Sequence, residues 1–130
     1  MIRILIIEDH QIFRGAFREV LQQRLPSIVI EEAGNGEEAL QKIDAAPPDL
    51  LFMDMRLAGG NGLELARKIK KDFPRVRIAM LTAYDLPEYR RQASQYGVDR
   101  YFVKDSLDWE EVEDFVQYIS EENRQRQRQS

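Results

Sequence analysis

A chain of 130 residues that is 43% hydrophobic and 32% charged suffices for one domain with a sizeable core and is too short for two. The formal net charge of -4 offers no basic field to nucleic acid or an anionic membrane, and the lack of cysteine excludes a disulfide frame, a thiolate nucleophile and a thiolate zinc site. One histidine, His10, cannot build a polyhistidine metal site, and no apolar run approaches the roughly 20 residues of a membrane span, so a cytoplasmic protein without membrane contact is expected.

Ile2 to Ile7 is apolar and β-branched, the pattern of a buried strand, and it runs into Glu8-Asp9-His10. From Ile12 to Arg24 the period changes: Phe13, Ala16, Phe17, Val20 and Leu21 fall at helical spacing, and Leu25-Pro26 stops the helix. Ile28 to Glu32 reads as a short second strand. Asn35-Gly36 alone suggests a hairpin turn, but Glu38 three residues after Asn35 matches a capping box, and Ala39, Leu40 and Ile43 continue at helical spacing. A second helix is therefore expected.

Leu50 to Met53 is an apolar run between Pro47-Pro48-Asp49 and a glycine-rich turn, as expected of a central parallel strand covered on both faces, with Asp54 as its last residue. Asn61-Gly62-Leu63-Glu64 repeats the N-cap pattern ahead of Leu65, Ile69 and Phe73. Arg77 to Leu81 is the fourth strand and ends at Thr82-Ala83. Asp85-Leu86-Pro87-Glu88 caps a polar fourth helix to about Tyr96, which Gly97 ends. Arg100 to Val103 is the fifth strand, followed by Lys104-Asp105-Ser106. The last helix, from about Asp108, places Trp109, Val112, Phe115, Val116 and Ile119 on one side and acidic residues on the other. Asn123 to Ser130 alternates arginine and glutamine without apolar anchors and is expected to fray, which makes 1–120 the domain and 121–130 a polar tail or the start of a linker.

Strict alternation of strand and helix, five times over, predicts an α/β domain: a (βα)5 doubly wound, parallel five-stranded sheet with helices on both faces. Such a sheet brings the carboxyl ends of its strands to one edge, where ligands bind. Glu8, Asp9, Asp54, Thr82 and Lys104 all fall at strand ends and should converge there. Neighbouring carboxylates repel by about 1–4 kcal/mol per close pair, so a cation is expected among them. Oxygen donors without nitrogen or sulfur favour a hard divalent ion, Mg2+ or failing that Mn2+. A carboxylate beside such an ion, a lysine and a hydroxyl suits phosphoryl transfer, in which positioning and charge neutralisation carry most of the catalysis.

With these residues in place, the sequence resembles the receiver domain of two-component response regulators over residues 2 to about 119. The resemblance is carried by Glu8-Asp9, Asp54, Thr82 with the small Ala83 after it, Lys104, and Tyr101 three residues before the lysine. It implies a flavodoxin-like receiver fold in which Asp54 accepts phosphate. Asp9, Asp54 and the backbone carbonyl of Arg56 would hold Mg2+ directly, and Glu8 would act mainly through water on the metal. Thr82, Lys104 and the Ala83 backbone would bind phosphoryl oxygens, and Thr82 with Tyr101 would form the switch. Such a domain is not an enzyme in the ordinary sense, although it promotes its own phosphorylation and dephosphorylation. The implied partners are a sensor histidine kinase and, on phosphorylation, a second copy of the chain.

The opening Glu8-Asp9-His10-Gln11-Ile12-Phe13-Arg14-Gly15 and the Lys104-Asp105 pair resemble the subfamily whose receivers precede a helix-turn-helix domain, so DNA contact would come only through a domain outside these residues. A stand-alone single-domain regulator acting by protein contact is the alternative. Ala58 stands where the family usually has proline, which implies a looser loop, and Asp105 in place of proline after the lysine implies a trans bond. His10 resembles a loop residue of the subfamily, not a chemical participant. A haloacid-dehalogenase-like phosphohydrolase would need a second aspartate where Arg56 stands, and a nucleotide-binding module would need lysine-serine or lysine-threonine after Gly59-Gly60-Asn61-Gly62. A receiver-shaped interaction module that takes no phosphate would have no use for Asp54, Thr82 and Lys104 together.

Overall fold

The computed structural model describes residues 2–57 and 60–129. Its strands are β1 (Arg3–Ile7), β2 (Val29–Ala33), β3 (Leu50–Met53), β4 (Arg56–Leu57), β5 (Gly60–Asn61), β6 (Arg77–Thr82) and β7 (Arg100–Val103). Its helices are α1 (Gln11–Arg24), α2 (Gly36–Ala45), α3 (Gly62–Asp72), α4 (Pro87–Gln95) and α5 (Trp109–Gln129), with a 3-10 turn over Lys104–Ser106. The main sheet is five-stranded and parallel, in the order β2-β1-β3-β6-β7. The doubly wound fold expected from the sequence is therefore the one observed.

The pleat of the strands divides the core in two. Ile4, Ile6, Leu50, Phe52, Ala79, Leu81 and Phe102 point to one face, where α1 supplies Phe17 and Leu21 and α5 supplies Val112, Phe115, Val116 and Ile119. Leu5, Ile7, Leu51, Met53, Ile78 and Met80 point to the other, under Ala39 and Ile43 of α2, Leu63, Ala66 and Ile69 of α3, and Ala93 of α4. All of β3 is buried, which explains its unbroken apolar run. Phe52 sits at the centre of the first layer, its ring 5.0 Å from Phe17 and 6.3 Å from Phe102. Truncating it to alanine would cost about 3–5 kcal/mol.

The helix starts obey local chemistry. Asn35 Oδ1 accepts from the Glu38 amide at 2.8 Å, while Glu38 returns its carboxylate to the Gly34 amide at 3.2 Å, one residue before the partner a capping box would use. Asn61 caps α3 by accepting from the Leu63 amide at 2.9 Å, so the cap falls one residue earlier than the Glu64 position. His10 caps α1 through Nδ1, which accepts from the Phe13 amide at 3.2 Å. Asp85 does not cap α4: Leu86 holds the cap position, Pro87 starts the helix, and Asp85 accepts from Arg90 Nε at 2.8 Å. Gly97 ends α4 with a φ of +91°, a conformation that disfavours side chains.

Three expectations are corrected. Asp54 follows β3 instead of ending it, although its amide still donates to the Ile7 carbonyl at 3.2 Å. The stretch after Asp54 is more than a turn, because Arg56–Leu57 and Gly60–Asn61 pair as a small antiparallel ladder. The tail from Asn123, expected to fray, is helical through Gln129. Glu122 pairs with Arg77, and Asn123 Nδ2 donates to Asp49 Oδ1 at 2.8 Å. Asp49 is a firm anchor, since its other oxygen accepts from the Arg3 amide at 2.8 Å and its carbonyl from the Arg77 amide at 3.1 Å. Ala58, where a looser loop is expected, lies outside the described residues.

Candidate functional site

The carboxyl ends of β1, β3 and β7 bring Glu8, Asp9, Asp54 and Lys104 together, and Thr82 ends β6 along the same sheet edge. β1 delivers the buried Glu8 and the exposed Asp9, and β3 delivers the half-buried Asp54; one oxygen from each lies within 4.8 Å of the others. Lys104, directly after β7, bonds the Glu8 carboxylate and donates to Asp54 Oδ2 at 2.9 Å. Its ammonium also stands 4.5 Å from the centre of the Phe13 ring, so an aromatic face covers one side of the ion pair. Asp54 Oδ1 accepts from the Arg56 amide at 3.0 Å, which leaves both oxygens held.

The electrostatics follow from this crowding. Burial pushes the Glu8 carboxyl above its ordinary value and the Asp54 charge adds to the rise, against the opposing bond from Lys104. Burial alone would lower the lysine, but the hydrogen bonds and charges of Glu8 and Asp54 together raise it, so Lys104 is a fixed cation at neutral pH. Lys104 thus bridges the Glu8 and Asp54 carboxylates, and the Asp9 carboxylate stands beside that pair.

Thr82 ends β6 fully buried, and its Oγ1 accepts from the Tyr84 amide at 3.4 Å; Ala83 follows on the exposed turn. Tyr101 lies on β7, half-buried, with its hydroxyl donating to the Tyr84 carbonyl at 2.5 Å and its ring under the Arg90 guanidinium at 4.7 Å. Burial, first of all, raises its phenol above the ordinary value. Among the described residues no peptide bond is cis, so the Lys104–Asp105 bond is trans as expected.

Sequence reasoning missed Tyr84 and the side chain of Arg56. The Arg56 guanidinium lies 4.5 Å from the Tyr84 ring, which packs edge-on to Tyr89 at 6.0 Å, so the turn after Asp54 is tied to the segment after β6. Its only sequence signal is that each residue falls two positions after a site residue, Asp54 and Thr82. Gly62 opens α3, and a Cβ there would stand 2.3 Å from the Asp54 carbonyl oxygen, so the helix begins in direct backbone contact with the site.

A doubly wound α/β sheet with clustered carboxylates and a lysine at its carboxyl edge defines a phosphate- or cation-handling domain of the flavodoxin-like type. A family model, the response regulator receiver domain, matches residues 4–117, and the chain belongs to that family. The chain is 34% identical over 105 residues to the DNA-binding transcriptional activator DevR/DosR of Mycobacterium tuberculosis, covering 81% of this chain and 48% of that protein. It is 32% identical over 103 residues to the response regulator protein VraR of Staphylococcus aureus, covering 79% and 49%. The chain thus spans about half the length of these curated relatives.

Among solved structures, it resembles response regulator TrrA of Thermotoga maritima in complex with Mg(2+)-BeF, at 36% identity and a TM-score of 0.79 over 92% of this chain and 99% of that one. A LuxR-family two-component response regulator of Aurantimonas matches at 27% identity and a TM-score of 0.83, over 92% and 86%. Among the described residues no helix is long and apolar enough to cross a membrane.

Proposed function

We propose that this receiver is a phosphorylation switch in which Asp54 takes a phosphoryl group from a sensor histidine kinase. The observation that carries the reading is the Asp54 carboxylate, held by Lys104 on one oxygen and the Arg56 amide on the other, beside the Glu8 and Asp9 carboxylates. An Asp54 oxygen attacks phosphorus, forming an O–P bond as the donor's P–N bond breaks and its electron pair stays on the imidazole. Lys104 and the Thr82 hydroxyl then bind phosphoryl oxygens, with the Ala83 amide as a third donor.

The donor set fits a divalent cation: three carboxylates, all oxygen donors, within reach of one another. Asp9, Asp54, the Arg56 carbonyl and, less directly, Glu8 would hold Mg2+ or Mn2+. Bound there, the ion neutralises charge on the transferring group. The Mg(2+)-BeF complex of TrrA supports this choice. The same groups promote both gain and loss of the phosphoryl group, while a phosphohydrolase is disfavoured because Arg56 packs on Tyr84 where a second acid would be needed.

The switch runs through Thr82 and Tyr101. Phosphorylation adds charge and acceptor oxygens at Asp54, which draws the Thr82 hydroxyl away from the Tyr84 amide. Tyr101 then leaves the Tyr84 carbonyl and turns inward, remodelling the face of α4, β7 and α5 for self-association. Tyr96 takes no part in that face, because its ring packs toward α3 under Arg67 at 5.6 Å. Ile12, 81% exposed in the first turn of α1 and next to the Phe13–Lys104 contact, forms part of the kinase-docking surface. Residues 1–120 are the switch proper, and DNA contact would belong to a further domain such as the longer relatives have room for.

Intact-mass measurement tests this. Acetyl phosphate with Mg2+ should add one phosphate to the chain, and chelator or Asp54→Asn should abolish it; full labelling of Asp54→Asn would sink the assignment. Ile12→Ser should slow transfer from the kinase alone, and equal slowing with acetyl phosphate would remove Ile12 from the docking surface.

A further inference from the structure

Arg14 stands outside the carboxylate cluster but reaches the segment that carries two of its members. Its Nη1 donates to the Glu8 carbonyl oxygen at 2.7 Å, and its Nε donates to Glu32 Oε1 at 2.9 Å. Glu32, on β2, is itself anchored: Oε2 accepts from Arg18 Nη1 at 2.5 Å, and its carbonyl accepts from Lys42. The Glu8 amide donates to the Ala33 carbonyl at 3.0 Å. Both backbone groups of Glu8 are therefore tied to β2, one directly and one through the guanidinium.

Two further observations fit a built clamp. Burial alone would raise the Glu32 carboxyl, but its bonds to Arg18 and Arg14 bring it below the ordinary value, so the anchor is ionised at neutral pH. At Gly34 a Cβ would stand 3.2 Å from Arg14 Nη1, so a larger residue would press on the guanidinium.

We propose that Arg14 is a positioning residue for the cation site: by clamping the Glu8 carbonyl to Glu32 on β2, it fixes the turn that presents the Glu8 and Asp9 carboxylates. This rests on the cation reading given above. The clamp requires the planar fork of an arginine, because a lysine ammonium is a single point charge that does not span both oxygens in the same geometry. Charge alone argues the reverse. Removing a positive group near a cation site reduces repulsion and tightens binding, whereas removing a clamp weakens it. The sign of the effect separates the two.

Calorimetric titration of Mg2+, and separately Mn2+, into the intact chain and its variants tests the clamp. Arg14→Ala and Arg14→Lys should each raise Kd about tenfold, the low end for groups that orient metal ligands. Arg18→Ala, which loosens Glu32 without touching the Glu8 carbonyl, should lower the melting temperature and leave Kd unchanged. Equal or tighter binding by Arg14→Ala would overturn the proposal, as would unchanged binding by Arg14→Lys. Weakening by Arg18→Ala as large as that by Arg14→Ala would also overturn it, by tracing the effect to general loosening at β2. Absence of saturable binding by the unsubstituted chain would instead overturn the cation reading itself, and the proposal with it.

Discussion

Gly62→Ala is the substitution whose consequence the structure defines most sharply. The added Cβ would stand 2.3 Å from the Asp54 carbonyl oxygen, 2.7 Å from that of Met55 and 2.9 Å from the Met55 carbonyl carbon. All three are backbone atoms, so no side chain can swing away. Ordinary contact begins at 3.4 Å, which leaves a shortfall of 1.1 Å (3.4 less 2.3) to be met by moving the Asp54–Met55 backbone or the start of α3. Overpacking of this kind costs about 1–3 kcal/mol, and the bond from the Gly62 amide to the Met55 carbonyl, 2.8 Å, is strained with it. Alanine's better helix propensity returns at most about 1 kcal/mol. With that return subtracted, a net loss of up to about 2 kcal/mol should lower the melting temperature by up to roughly 8 °C. The larger effect should be on chemistry, because a displacement of about 1 Å at a reacting group costs on the order of 10²-fold in rate. Urea unfolding followed by Trp109 fluorescence gives the first number and acetyl phosphate labelling the second. Stability and labelling rate both equal to those of the unsubstituted chain would refute the close-contact argument.

Thr82→Ala should keep the fold but sharply reduce the chemical-shift changes at Tyr101 and α4 that beryllofluoride with Mg2+ produces; full-size changes in the variant would sink the relay. Glu32 has a folded-state pKa below its ordinary 4.5, so its contribution to stability is fully present above that value and is lost as pH falls through the lowered one. The unfolding free energy of Glu32→Gln should therefore lose less than that of the unsubstituted chain on acidification below about pH 4.5, and parallel profiles would count against the Arg14–Glu32–Arg18 network. Asn123→Ala should cost about 1 kcal/mol and speed amide exchange from Glu122 onward; unchanged exchange would show that Asp49 does not hold the end of α5.

The parts of the fold readable in the sequence are those whose signal is periodic. The apolar runs of β1, β3 and β6 and the 3.6-residue spacing in α1 and α3 come from burial against many neighbours, which no single contact can reverse. The strand-end residues Glu8, Asp9, Asp54, Thr82 and Lys104 were legible for the same reason, since a parallel sheet leaves their positions little freedom. Features set by one or two polar contacts were not. The end of α5 lacks apolar anchors and is held by Asn123 to Asp49 and Glu122 to Arg77, partners 74 and 45 residues away. The β4–β5 ladder spans two residue pairs, too short for alternation to register. Arg14 entered the sequence reading only as part of the stretch Glu8 to Gly15, and Glu32 only as the end of a strand, because only the fold shows that they meet.

The central claim is that the phosphoryl group sits on the side chain at position 54. Treating the phosphorylated chain with borohydride converts an aspartyl phosphate to homoserine, and peptide mass spectrometry then locates it. Homoserine at position 54, dependent on Mg2+ during labelling, is the predicted result. Homoserine at Asp9 or any other aspartate, or the corresponding five-carbon alcohol at a glutamate, with Asp54 unmodified, would contradict it.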